Sequence, residues 1–258
     1  MPFTLDFALK TDPGQVRPLN EDAVGADPDA GLFILADGLG GYNAGEIAST
    51  MAVSALLAEL PCALESARQA GTVFDPASVL RERLIAMNST IFRAALNSSA
   101  FEGMATTIVV AWLLGDRLWI AHAGDSRAYR MRRGQLEQLT RDHSFSQELL
   151  DAGMVTEEEA RLLPAKNLVT RALGASAEID PEVHDYPLEA GDLLLLCSDG
   201  LTEMINAAEI GGLLAAADGN VHEGARRLVE LANEAGGRDN VSVVVVGVRD
   251  AAGAPAAQ

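Results

Sequence analysis

Leu32-Phe33-Ile34-Leu35-Ala36-Asp37-Gly38-Leu39-Gly40-Gly41 is an apolar run that stops at an acid and a glycine-rich turn. Bulky apolar residues bounded by turn formers predict a buried strand, with Asp37 at its end, held by the core and open to a site. A metal ligand belongs at such a position. Gly38 has no Cβ, so its carbonyl can approach an ion closely, and Gly40 with Gly41 permits a tight turn into the next element. Asp-Gly is also among the commonest turn dipeptides, and alone the motif suits an ordinary strand-to-helix loop. The rest of the chain decides between the two.

The 258 residues are 48% apolar, ample for a sizeable core, and no Ser/Pro-rich linker divides them,. One domain over 1–250 is expected, with a frayed, disordered tail at 251–258. A formal charge of −18 disfavours nucleic acid and anionic membranes as partners of the general surface, since both are polyanions. The N-terminus carries Asp6 and no long apolar core, unlike a secretory signal. The least polar long stretch, 103–115, is well short of the roughly 20 residues of a membrane helix. A cytoplasmic protein is therefore expected. The two cysteines, Cys62 and Cys197, lie far apart in apolar settings and read as packed thiols in a reducing compartment.

Along the chain, 3–11 alternates as an early strand and leads into the polar cluster 17–23. Residues 43–60 carry apolar side chains near helical spacing, and Asp75-Pro76 opens a second helix as N-cap and first-turn proline,. In that helix Leu80, Leu84, Met87, Ile91 and Ala95 form one apolar face,. The segments 106–114, 117–123, 127–131 and 136–140 are rich in β-formers and separated by turn signals at hairpin spacing, an antiparallel meander,. The polar, acidic stretch 144–163 interrupts it as a surface excursion with short helices,. Further strands are expected at 167–172 and 192–197, a helix at 222–235, and a last buried strand at 241–248. Strands in blocks with helices set apart predict an α+β fold, two antiparallel sheets packed face to face with helices outside. Val243-Val244-Val245-Val246 is apolar on both faces and needs cover on both.

Other acids copy the arrangement at Asp37. Asp199 follows the apolar run 193–197, Asp239 stands immediately before the last strand, and Asp125 sits at a hairpin tip. If those ends converge, the crowded carboxylates resist ionisation, and a cation is the usual remedy. All-oxygen ligands select hard ions such as Mg²⁺ or Mn²⁺; no Cys/His cluster for Zn²⁺ is apparent, and the four histidines are scattered,. Two hard ions about 3.5–4 Å apart are a recurring device for phosphoester hydrolysis. Arg17 can hold two phosphate oxygens at once, although Glu21, four residues on, offers it an ordinary surface ion pair,.

Taken in order, Arg17-x-x-Asn20-Glu21-Asp22-Ala23, Asp37-Gly38-x-Gly40-Gly41, Gly103-Met104-Ala105-Thr106-Thr107, Gly124-Asp125-Ser126-Arg127, Ser198-Asp199-Gly200-Leu201 and Asp239-Asn240-Val241-Ser242 resemble the metal-dependent type 2C Ser/Thr protein phosphatases of bacteria. The resemblance covers nearly the whole chain. It implies a central β-sandwich flanked by helices (α-β-β-α), with 144–163 as a flap beside the active site. It further implies two Mn²⁺ or Mg²⁺ ions: Asp37 bridging both, the Gly38 carbonyl on the first, Asp199 and Asp239 on the second. Glu21 and Asp22 would hold metal-bound waters, Arg17 would grip the substrate phosphate, and Asp125 with Asp199 would form an additional, weaker site. Leu39 stands where many eukaryotic members carry a histidine proposed to protonate the leaving alcohol, which leaves a metal-bound water for that role. The implied activity is hydrolysis of phosphoserine and phosphothreonine in proteins by a metal-bound hydroxide, opposing a Ser/Thr kinase, in a monomer. The competing reading is a catalytically silent phosphoprotein-binding module of the same fold. A two-metal nuclease is opposed by the negative surface.

Overall fold

The run 32–36 lies inside a sheet, with hydrogen-bonded neighbours on both sides. The computed structural model describes residues 2–40, 44–163 and 168–251. In chain order the strands are β1 (Phe3–Asp12), β2 (Asp22–Asp27), β3 (Leu32–Leu39), β4 (Ala105–Thr106), β5 (Ile108–Leu114), β6 (Arg117–Ala123), β7 (Arg127–Arg132), β8 (Gln135–Gln138), β9 (Glu182–Pro187), β10 (Leu193–Cys197) and β11 (Val241–Asp250). The helices are α1 (Ala44–Ala70), α2 (Pro76–Asn97), α3 (Phe145–Asp151), α4 (Glu157–Leu162), α5 (Asp199–Thr202), α6 (Ala207–Ala216) and α7 (Val221–Glu234). One sheet has the order β1-β11-β10-β7-β8 and the other β2-β3-β5-β6-β9, with β4 paired to β3.

Strand alternation sorts the core into layers. Phe33 and Leu35 of β3 face Val244 and Val246 of β11 between the sheets. Leu32, Ile34 and Ala36 point the other way, onto α1 and α2, while Val243 and Val245 pack under α7. Each of the larger of these side chains, taken fully out of water, contributes about 1.5–3 kcal/mol. The α-β-β-α sandwich is thus the expected one, and the four-valine run has its two covers.

Local sequence sets the helix bounds. Asp75 caps α2 by accepting the Ala77 N–H, with Pro76 in its first turn. Helix α1 runs through Pro61 and is longer than the periodicity suggests. By length and composition it could cross a bilayer, unlike the stretch 103–115. Here it buries Ala48, Ala52, Leu56 and Leu60 in the core.

The structure departs from the sequence expectations in three respects. The strand expected at 167–172 is absent among the described residues, where single bridges Ser144↔Val169 and Thr106↔Leu173 hold the segment instead; residue 167 lies outside the described residues. β9 and α6 arise where the sequence pattern predicts no element. Cys62 is exposed on α1, not packed, whereas Cys197 is buried. Of the tail, the Ala251 N–H donates to the Pro2 carbonyl, and 252–258 lie outside the described residues.

Candidate active site

Asp37 is not the last residue of its strand. β3 continues to Leu39 because Gly38 and Leu39 pair with Thr106 and Ala105 of β4. The 103–107 motif holds Asp37 from that side: the Asp37 N–H donates to Thr107 Oγ1 (3.0 Å), and the Asp37 carbonyl accepts from Thr107 N–H (2.8 Å) and Thr106 Oγ1 (2.8 Å). Across the ladder, Asp22 is the register partner of Asp37. A Cβ on Gly38 would overlap the backbone of Gly45 and the Glu21 carbonyl, so only glycine lets β3 pass here.

The other sheet supplies the opposite wall. Asp199 begins α5 directly after β10, and Asp239 precedes β11. Arg17 donates to Asp239 Oδ2 at 2.7 Å, so its partner is Asp239 and not the neighbouring Glu21. Asn240 is a clasp: its Oδ1 accepts the Glu21 N–H (2.8 Å) and its Nδ2 donates to the Leu19 carbonyl (2.8 Å). Ser198, fully buried, donates to Asp22 Oδ2 (2.9 Å) and accepts the Ser242 N–H (3.0 Å). Asp125 lies in the turn where the chain crosses from β6 in one sheet to β7 in the other. Ser126 in that turn shares a 2.7 Å hydrogen bond with Thr107. Thr107, Ser198, Asn240 and Ser242 stand inside the quoted motifs, yet their partners are too distant in sequence for the motifs to reveal them.

The acids perturb one another. Burial, then the charges of Asp22, Asp199, Asp125 and Asp239, hold the Asp37 carboxyl well above the usual range. Asp199 is pushed well up by burial and by Asp125, Glu203, Asp239 and Asp22. Burial raises Asp22 to about 6 and, with Asp142 nearby, Asp125 to about 7. Glu21 also rises, chiefly through burial. Glu21 Oε1 and Asp22 Oδ1 are buried with no hydrogen-bond partner, a costly state for carboxylate oxygens. All-oxygen donors, mutual repulsion and orphaned buried oxygens suit hard divalent cations. A groove of about 760 Å³ leads away from Asp125 and Asp199, walled by Glu203 on one side and by Ser146, Gln147 and Leu150 of the 144–163 segment on the other.

A family model described as Protein phosphatase 2C matches residues 15–218. The chain belongs to the protein phosphatase 2C family. Among curated relatives it is 41% identical over 248 residues to the serine/threonine protein phosphatase PstP of Mycobacterium tuberculosis, covering 96% of this chain and 46% of that protein. It is 38% identical over 252 residues to protein phosphatase PhpP of Streptococcus pneumoniae, covering 95% and 98% respectively. The chain therefore spans about half the length of the mycobacterial relative and nearly all of the streptococcal one. The solved catalytic domain of PstP in complex with two manganese ions superposes with a TM-score of 0.81 at 39% identity, covering 96% of this chain and 100% of that one.

Proposed function

We propose that this chain removes phosphate from phosphoserine and phosphothreonine in proteins, with Mn²⁺ or Mg²⁺ as cofactor. The observation that carries this reading is the convergence of Glu21, Asp22, Asp37, Asp125, Asp199 and Asp239 on one another's charge beside Arg17. Asp37 and the Gly38 carbonyl would hold one ion and Asp37, Asp199 and Asp239 a second, with Glu21 and Asp22 on their waters and Asp125 with Asp199 at an additional site. Bound there, such ions supply an activated water and neutralise charge on the phosphoryl group.

The chain's own groups do the rest. Arg17 presents a planar guanidinium for two phosphate oxygens, and Asp239 Oδ2 accepts from its Nη2 at 2.7 Å. Thr106 and Thr107 fix the Asp37 backbone, so the carboxylate is aimed before substrate arrives. Leu39 has no proton to give, so a water held at the ions would be the proton donor to the leaving alcohol. Names of the relatives support serine/threonine phosphatase activity. We further assign 1–250 to a single domain, a cytoplasmic setting that keeps Cys197 reduced, a monomer, phosphorylated proteins as substrates and a Ser/Thr kinase as the opposing activity.

The test is phosphate release from a phosphothreonine peptide by chelator-stripped protein, before and after Mn²⁺ or Mg²⁺. Release that requires the ion is expected. No release by folded protein that binds the ion would leave a silent phosphoprotein-binding module.

A further inference from the structure

His143 sits outside the acidic ring, 5% exposed, where the chain leaves β8 for α3. Its ring lies flat against His122, with centroids 4.8 Å apart and planes 5° apart. One glycine is held twice by this residue: the Gly124 N–H donates to His143 Nδ1 (3.1 Å), and the His143 N–H donates to the Gly124 carbonyl (2.9 Å). Gly124 precedes Asp125, has a φ of +116° and leaves no room for a Cβ against Thr107. Its position is thus closely determined, and with it the backbone from which Asp125 projects.

The same residue ties down the 144–163 segment. The His143 carbonyl accepts the Thr170 N–H (2.8 Å), and Ser144 bridges to Val169, so the departing and returning ends of the excursion meet at His143. On its far edge Nε2 meets Glu182 Oε1 at 3.1 Å, and Glu182 is the β9 register partner of His122.

The nitrogens of His122 and His143 and a Glu182 oxygen lie within 4.8 Å of one another, the composition of a metal site. The hydrogen bonds decide otherwise. Nδ1 of His143 already accepts an amide proton, so Nε2 carries the ring proton and donates it to Glu182,. The Arg171 guanidinium stands 3.3 Å from His143 Nε2 and 3.6 Å from the same Glu182 oxygen, a cation where an ion would have to sit.

We propose that His143 is a positioning residue: as the Nε2–H tautomer it clamps the Gly124–Asp125 turn to both roots of the flap, and thereby sets the affinity of the site that includes Asp125. The inference rests on Asp125 being a ligand of that additional, weaker site. Partners one step behind a ligand typically change metal affinity by about 10–100-fold.

The experiment is a Mn²⁺ titration of the chelator-stripped full chain, followed by the electron paramagnetic resonance of free Mn²⁺, for the unsubstituted protein, Asp125→Asn, His143→Phe and His143→Asn. Phe keeps the stacked ring and loses both polar atoms; Asn offers Oδ1 where Nδ1 stood against the Gly124 N–H. The expected result is a weak equivalent that Asp125→Asn removes, that His143→Phe weakens by about tenfold or more, and that His143→Asn largely retains, with the tight equivalents unchanged throughout. If Phe is not accommodated and the protein does not fold, His143→Ala takes its place with the same expectation. A weak equivalent lost in Asp125→Asn but untouched by His143→Phe or His143→Ala overturns the role of His143 alone. Absence of any Asp125-dependent equivalent overturns the ligand reading and this inference with it. A Zn²⁺ equivalent abolished by both His143→Asn and Glu182→Gln would make the cluster a metal site and overturn the clamp.

Discussion

Ser198 shows how much of the site depends on groups that never reach the cleft. Its hydroxyl links the Asp22 carboxylate on one sheet to the Ser242 amide on the other, with no exposure to water. Ser198→Ala removes the one hydroxyl that serves both buried partners, so a loss of about 1–3 kcal/mol in urea unfolding is expected; a variant as stable as the parent would mean that the hydroxyl is dispensable. Gly38→Ala places a methyl group against the backbone of Gly45 and Glu21, and an overpacking loss of about 1–3 kcal/mol should accompany lost activity. Asp239→Asn is expected to abolish turnover while leaving the fold and its melting curve intact. Arg17→Ala should act chiefly on KM, because its grip on phosphate is made in the ground state too; a change confined to kcat would contradict that assignment.

At the scale of elements, the clearest signals in the sequence come from continuous burial and caps. β3 and β11 are legible because they are apolar on both faces, and α2 because Asp75, Pro76 and an i, i+4 stripe agree. β9 is Glu-Val-His-Asp-Tyr-Pro, a polar edge strand with a terminal proline, and nothing local distinguishes it from a loop; its pairing with β6 makes it a strand. Helix α6 carries Gly211-Gly212 in its middle, a weak helix former rescued by the Asn206 capping box and the burial of Ile210 and Leu214. The segment after the flap looks extended but is fixed by side-chain anchors instead: Asn88, 1% exposed, accepts the Gly174 N–H and donates to the Ser176 carbonyl. Asp37, Asp125 and Asp199 are legible because each stands beside glycine or serine at or near an element end. The hydrogen bonds that aim the acids join residues as much as 222 positions apart, beyond any local pattern. Shortening α3–α4 should alter the preference among phosphopeptides more than hydrolysis of a small aryl phosphate, since these helices wall the groove and not the acidic ring. An equal fall in both rates would show the segment to be structural.

For the whole molecule, the ring of acids makes stability depend on pH and on divalent ions. Burial and neighbouring acids raise Asp125 to about 7, and Asp37 and Asp199 are likewise held well above the unfolded value near 3.8. Groups with raised folded pKa stabilise at low pH and lose that contribution as pH climbs through the folded value. His122, pushed down to about 4 by burial, works in the opposite direction below its unfolded value of 6.5. The informative window is therefore above 6.5: chelator-treated protein should melt at lower temperature at pH 8 than at pH 6.5, and Mn²⁺ should close the gap by binding the folded form. A chelated protein that gains stability across that interval would exclude the repulsion. A last consequence concerns reagents. Cys62 is exposed on α1, whereas Cys197 is fully buried in β10 and its thiol is pushed up to about 12. The unaltered chain thus carries one prompt and one latent maleimide target. The first tags the native protein at a single place, and the second adds its mass at the pace at which the sandwich opens, so a mass spectrum taken against time becomes a clock for unfolding.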